Sequence, residues 1–166
     1  AFGGIYLPHL RNATYRELIA ADSLLEQAMG REGSWVEITA SDFDKDLNPE
    51  VRLANDRLIA YLAPARGGML YELDVRAIQH NLLATMQRRR EVYHHKVLGG
   101  SQSGLEQAAS IHDRIVFKQE GLQHRLFYDQ YPRKSFLDHF YDLDMKVDSL
   151  QRGEALERGD FVAKPF

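Results

Sequence analysis

Cysteine is absent from the 166 residues. Disulfides, zinc–thiolate sites and a thiol nucleophile are therefore excluded, and a reducing, cytoplasmic setting is expected. No stretch approaches the ~20 consecutive apolar residues of a membrane span, and the opening residues lack the basic-then-apolar layout of a signal peptide. Neither sign of charge dominates: 21 Lys and Arg stand against 24 Asp and Glu, a net charge of −3. Such a balance supplies no field for drawing in nucleic acid or an acidic membrane surface. Tryptophan occurs once, at Trp35. What is plentiful is apolar side chain, 44% of the residues, enough to build a core. The length suits one domain or pieces of two.

Periodicity divides the chain. Residues 8–29 have helical spacing, with Pro8 in the first turn and Leu10, Tyr15, Leu18, Ile19, Leu25 and Met29 forming one stripe that needs a partner. Gly30 is the expected C-terminal cap. From Gly33 the pattern alternates. "WVEITA" puts Val36, Ile38 and Ala40 on one face, and "VRLAN" (51–55) repeats the habit. "RLIAYLA" (57–63) and "GGMLYELD" (67–74) flank Pro64-Ala65-Arg66 as a hairpin, with Tyr61 and Tyr71 able to meet across it. "NLLATMQRRREVYHHKV" returns to helical period, and "GGSQSGLEQAAS" (99–110) reads as an insertion or surface loop. Further short strands are expected at 114–118, 124–129, within 135–141 and at 160–163, with loop from Asp142 to Arg158. The expected fold is a short helical segment followed by a mainly antiparallel β-sandwich with one helical excursion.

Four groups of residues invite a chemical reading. In "SDFDKDLNPE", Asp42, Asp44 and Asp46, with Asn48 and Glu50, alternate as oxygen ligands of calcium can. The EF-hand pattern fails, however: Leu47 holds the sixth position, where Gly is required, and Leu53 the twelfth, where Glu is. A polar inter-strand turn closed by Asx hydrogen bonds is the competing reading. Arg88, Arg89 and Arg90 could meet phosphates, and Glu91 and His94 have an i, i+3 di-iron spacing, but three successive arginines fan around a helix. A solvated helix with internal ion pairs accounts for them as well. In "YDQYPRKSFLDHF", Asp129, Arg133, Asp138 and His139 could form an acid–base set, and Ser135 a nucleophile. Neither a nucleophile elbow nor a Gly-rich oxyanion loop accompanies them. Gly67-Gly68 precedes a strand rather than a helix, which suits a hairpin turn better than a phosphate loop.

Taken in order, "FGGIYLPHLR", "YRELIAAD", "DFDKDLNPEVRLANDRLIAYLAPARGGMLYELD", "NLLATMQRRREVYHHKV", "IHDRIVFKQEGLQHRLFYDQYPRKSFLDHF" and "GDFVAKPF" resemble glycoside hydrolase family 57, its α-amylase and 4-α-glucanotransferase members. The resemblance covers nearly the whole chain. It implies a catalytic barrel upstream, then a helical middle segment ending at residues 1–32. Residues 33–166 would be the N-terminal part of a C-terminal β-sandwich of the galactose-mutarotase-like supersandwich type. The implied chemistry is retaining, with two carboxylates about 5–5.5 Å apart. Both belong to the barrel, so no catalytic residue is assigned here and this stretch alone is expected to be inactive. By resemblance Phe2, Gly3 and Gly4 lie beside the substrate cleft, downstream of a Trp-His-Gly stretch, so that the chain reads as part of a longer motif. The implied partner is an α-1,4-glucan or maltooligosaccharide bound through the barrel, with no nucleic acid, no membrane and no cofactor other than the calcium considered above. Asn48-Pro49 departs from the Gly-containing turn common in relatives, which weakens the calcium reading. A free-standing carbohydrate-binding or interaction β-domain is the alternative. One Trp, and tyrosines that sit at strand positions, count against it.

Overall fold

The structure, a computed structural model, describes residues 6–95 and 121–165. The chain divides into two compact units, one of residues 1–86, 133–143 and 156–166, the other of 87–132 and 144–155. In the first unit the expected helix forms as α1, Pro8–Ala28. Its end is a Schellman motif: Gly30 N–H donates to Gln27 O and Arg31 N–H to Glu26 O. The motif needs a left-handed residue at Gly30, where φ is 77°. No helix among the described residues is long and apolar enough to cross a membrane.

Five antiparallel strands follow: β1 (Val36–Ser41), β2 (Glu50–Asn55), β3 (Leu58–Ala63), β4 (Met69–Val75) and β5 (His80–Asn81). They lie side by side in chain order, joined by short connections. The 64–66 hairpin closes as expected, through a 3-10 turn, and the Tyr61 and Tyr71 rings meet with centroids 5.9 Å apart. A register shift between Tyr61 and Leu62 brings the two rings near each other although Tyr61 is paired with Glu72.

Successive strand residues point to opposite faces, so the register sorts the sheet into rows. One row is wholly apolar: Ile38, Leu53, Ala60 and Leu73. The rows on the other face, Glu37–Ala54–Ile59–Asp74 and Thr39–Arg52–Tyr61–Glu72, carry most of the charge. Helix α1 contacts this second, charged face through Asp22, Glu26 and Tyr15. Ile19 and Ile59 are almost fully buried. The expected stripe is therefore split. Leu18, Leu25 and Met29 remain 60–64% exposed, and Val36 and Ile38 on β1 are 80% and 70% exposed.

Several sequence expectations are corrected. The stretch 82–93 is not helical. Leu82 N–H donates to Leu73 O at 2.8 Å, and Leu83 N–H to Asn81 Oδ1 at 2.8 Å, which extends the sheet's edge at the expense of helical bonds. Residues 124–129 hold the end of a 3-10 turn (Leu122–Arg125) and irregular backbone. In 135–141 Ser135 alone bridges to Leu70; Phe136 has φ 64°, which turns the chain off the strand path. Residues 160–163 form a turn that tucks Val162 against the 64–67 hairpin turn. Conversely, a short helix, α2 (Val147–Arg152), stands in the expected loop. Among the described residues there is one antiparallel sheet, with α1 against one of its faces. The expected strand at 114–118 and the insertion at 99–110 lie outside the described residues.

Candidate functional site

Phe2, Gly3 and Gly4, expected beside a substrate cleft, lie outside the described residues. The other expected set, Asp42, Asp44 and Asp46, sits in the β1–β2 connection. Asp42 accepts backbone N–H bonds from Asp46 (3.0 Å) and Leu47 (3.2 Å), and Asp46 accepts one from Asn48 (2.9 Å). These are Asx-type closures. The Asn48 backbone N–H, followed by its side-chain amide, holds the Asp46 carboxyl below the usual range. The acidic groups that converge are Asp42, Asp44 and Glu50, with one carboxylate oxygen each within 4.8 Å of the others. Asp46 faces Arg66 instead, 3.5 Å away, and Arg66 is also bonded to Asp44. Glu50, 1% exposed, accepts from Phe43 N–H at 2.9 Å. A hard cation held by Asp42, Asp44 and Glu50 would have to displace the guanidinium already seated against Asp44. Chelation is therefore expected to leave the melting temperature unchanged. Arg66→Ala should cost about 0.5–1 kcal/mol, as for an exposed ion pair. A chelator-induced fall in thermal melting would overturn this assignment.

The densest charge cluster is one that reading along the sequence missed. Arg52, 8% exposed, reaches Glu37 (3.1 Å), Asp22 (3.2 Å) and Glu26 (3.4 Å). Arg76 pairs with Asp22 at 2.8 Å, and Arg31 with Glu26 at 3.0 Å and with Glu37. Three cations and three anions thus tie α1 to β1, β2 and the 76–78 turn. Trp35 packs beside it, with Arg31 Cζ 4.8 Å and Arg76 Cζ 5.5 Å from the ring centroid. An open cleft of about 360 Å³ borders Trp35, Gln27 and Arg57. The signal was present as charges at alternate strand positions (Glu37, Arg52, Glu72, Asp74), but it becomes readable only once the strands are paired.

A second acidic pair lies under α1. Glu72 and Asp74 share a face of β4, and Asp74 is 3% exposed. Burial, with Glu72 beside it, pushes Asp74 up to about 8, and burial raises Glu72 as well. Raised acids can serve proton transfer, but Asp74 is buried, and Glu72 half-buried, on the face that α1 contacts.

Several of the remaining predicted groups pair with neighbouring residues. In the second unit Arg88 clamps Asp129 through Nε at 3.0 Å and a terminal nitrogen at 2.6 Å, and Arg90 lies over the Tyr128 ring at 5.3 Å. His94 Nδ1 accepts from Glu91 N–H and stands 3.1 Å from the Tyr128 hydroxyl, so this ring nitrogen is engaged locally. A cleft of about 610 Å³ borders Tyr128, Gln130 and Arg152. In the first unit His139 Nδ1 lies 2.7 Å from Glu157, and Ser135 pairs with Leu70 through its backbone. Burial pushes Glu157 up, but hydrogen bonds from His139, Tyr141 and Phe140 N–H outweigh it and hold the carboxyl low. No nucleophile–base arrangement is assembled there among the described residues.

Comparison with known proteins adds the context. A family profile described as "Alpha-amylase/4-alpha-glucanotransferase, C-terminal" matches residues 42–166, and its "middle domain" counterpart matches residues 1–25. The chain is 37% identical to an α-amylase 1 of Dictyoglomus thermophilum, covering 90% of this chain and 21% of that protein. It is 33% identical to a 4-α-glucanotransferase of Thermococcus kodakarensis, over 99% of this chain and 24% of that one. The crystal structure of the 4-α-glucanotransferase from Thermococcus litoralis superposes with a TM-score of 0.76 at 29% identity, covering 99% of this chain and 21% of that one. The chain thus spans about a fifth to a quarter of the length of these relatives.

Proposed function

Because the chain belongs to the α-amylase/4-α-glucanotransferase family, we propose that it supplies a non-catalytic supporting segment of a retaining α-1,4-glucan-processing enzyme. The observation that carries this reading is the ordered pair of matches: middle domain over 1–25, C-terminal domain over 42–166. The structure supports a bracing role. Helix α1 is fastened to the sheet by a six-membered ion network, while Leu18, Leu25 and Met29 are left on its outer side. Of the two acids with raised affinity for protons, Asp74 is buried and Glu72 half-buried on the sheet face that α1 contacts, a placement that suits a structural pair better than one flanking a glycosidic bond. The glucan contacts would then be made by the catalytic part of the enzyme, in the cytoplasm, a compartment that suits a chain without cysteine.

The test is direct. Purified residues 1–166, incubated with maltoheptaose, should release no shorter sugars and form no longer ones. Turnover by this chain alone would overturn the proposal. Tight glucan binding without turnover would favour a carbohydrate-binding module instead.

A further inference from the structure

On β4, Glu72 and Asp74 stand two residues apart and so face the same way, toward α1. Asp74 is 3% exposed, and its Oδ1 is buried without a hydrogen-bond partner. Side by side on this face, the two carboxyls feel one another's charge. Two ionised carboxylates so placed repel and can only accept hydrogen bonds, whereas one proton would let one donate to the other. An unpaired buried carboxylate is also costly, and the usual relief is to take up that proton.

The surroundings supply too little positive charge to hold both acids ionised. From α1 come the Tyr15 phenol, which acts on Glu72, and the acidic Asp22. Across the sheet, Tyr61 of β3 is opposite Glu72, and the neutral Asn81 of β5 is opposite Asp74. Arg76 acts on Asp74 but is already bonded to Asp22 at 2.8 Å. Lys134 acts on Glu72, and burial lowers its own affinity for a proton.

We propose that Glu72 and Asp74 share a single proton that latches α1 to the sheet, and that its loss in mildly alkaline solution loosens the helix. With the proton in place, Tyr15 and the carboxyl pair form a hydrogen-bonded seat for the helix. Without it, two negative charges lie under α1, beside Asp22. The folded chain holds this proton over a range in which the unfolded chain, titrating near 4, has released it. Stability from the pair is therefore full below about pH 4, falls as pH rises toward 8, and levels off above.

The test uses the intact protein, isotope-labelled at aspartate and glutamate carboxyl carbons. Asp74 and Glu72 should titrate together in two steps, one of them far above the ordinary carboxylate range. Hydrogen exchange at α1 amides, corrected for intrinsic base catalysis, should lose protection by up to about tenfold per pH unit between roughly pH 6 and 8. In Asp74→Asn, whose amide keeps a donor toward Glu72, that loss should vanish. Should this variant fail to fold, Glu72→Gln provides the same comparison. Both acids titrating near 4, or an unchanged pH dependence of α1 protection in the variant that folds, would overturn the proposal.

Discussion

Replacing Arg52 by alanine is expected to destabilise the fold by about 3 kcal/mol, measured as a fall in the urea midpoint at constant slope. Arg52 is the centre of the ionic seam: it is 8% exposed and touches Asp22, Glu26 and Glu37, which come from α1 and β1. Breaking a buried pair by removing one partner costs about 3–5 kcal/mol, because the abandoned charge stays out of water. Glu26, 7% exposed, is the charge most affected. Arg31 at 3.0 Å and Arg76 at 4.0 Å still face it, which places the expected loss at the low end of that range. Arg52→Met keeps most of the aliphatic packing but removes the charge. It should therefore recover only a minor part of the loss. A midpoint shift equivalent to less than about 1 kcal/mol for Arg52→Ala would mean that the seam is solvated rather than buried.

Gly67→Ala should cost roughly 3 kcal/mol, for reasons that have nothing to do with charge. Gly67 has φ 72°, and a Cβ there would lie 2.1 Å from Val162 O and 3.0 Å from Val162 C. The left-handed backbone alone disfavours a side chain by about 1–2 kcal/mol. Backbone cannot yield as the tip of a flexible side chain can, so residues 160–165 would have to lift away. That would break the Gly67 N–H bond to Lys164 O, 3.1 Å, and expose Val162, now 4% accessible. Re-exposing a buried valine adds about 1.5 kcal/mol or more. Urea unfolding measures the total, and amide exchange at Gly67 tests whether the segment has come away. A stability equal to wild type, with Gly67 still protected, would sink the argument.

Local signals carried the first half of the chain. Pro8 and Gly30 bracket α1, alternation marks β1 to β4, and Pro64 with Gly67 turns the hairpin. After Asn81 the outcome is set by partners far away in sequence. Arg88 is held by Asp129, 41 residues on, and a stretch with helical period takes an irregular path. Ser135 joins the sheet through Leu70, while Phe136 turns away from it. No window of neighbouring residues contains that information. The orientation of the sheet was hidden for a different reason. Apolar alternation in β1 suggests that Val36 and Ile38 face the helix, yet α1 contacts the opposite, charged face through Arg52. The acidic turn was legible as a turn, whereas its seated Arg66 was not, since that residue arrives from the next hairpin.

The ionic seam also has an optical consequence. The only indole in this chain is Trp35, and two of the seam's three guanidinium groups lie within 5.5 Å of its ring centroid. An indole's excited state is polarised, so its emission energy and quenching respond to charges at such range. Excited at the red edge of its absorption, where tyrosine contributes little, this segment emits from a single corner: the end of α1 where it meets the 76–78 turn. Its fluorescence reads the docking of that helix with no label added, and unfolding of any other part that leaves this corner intact would be dark to it.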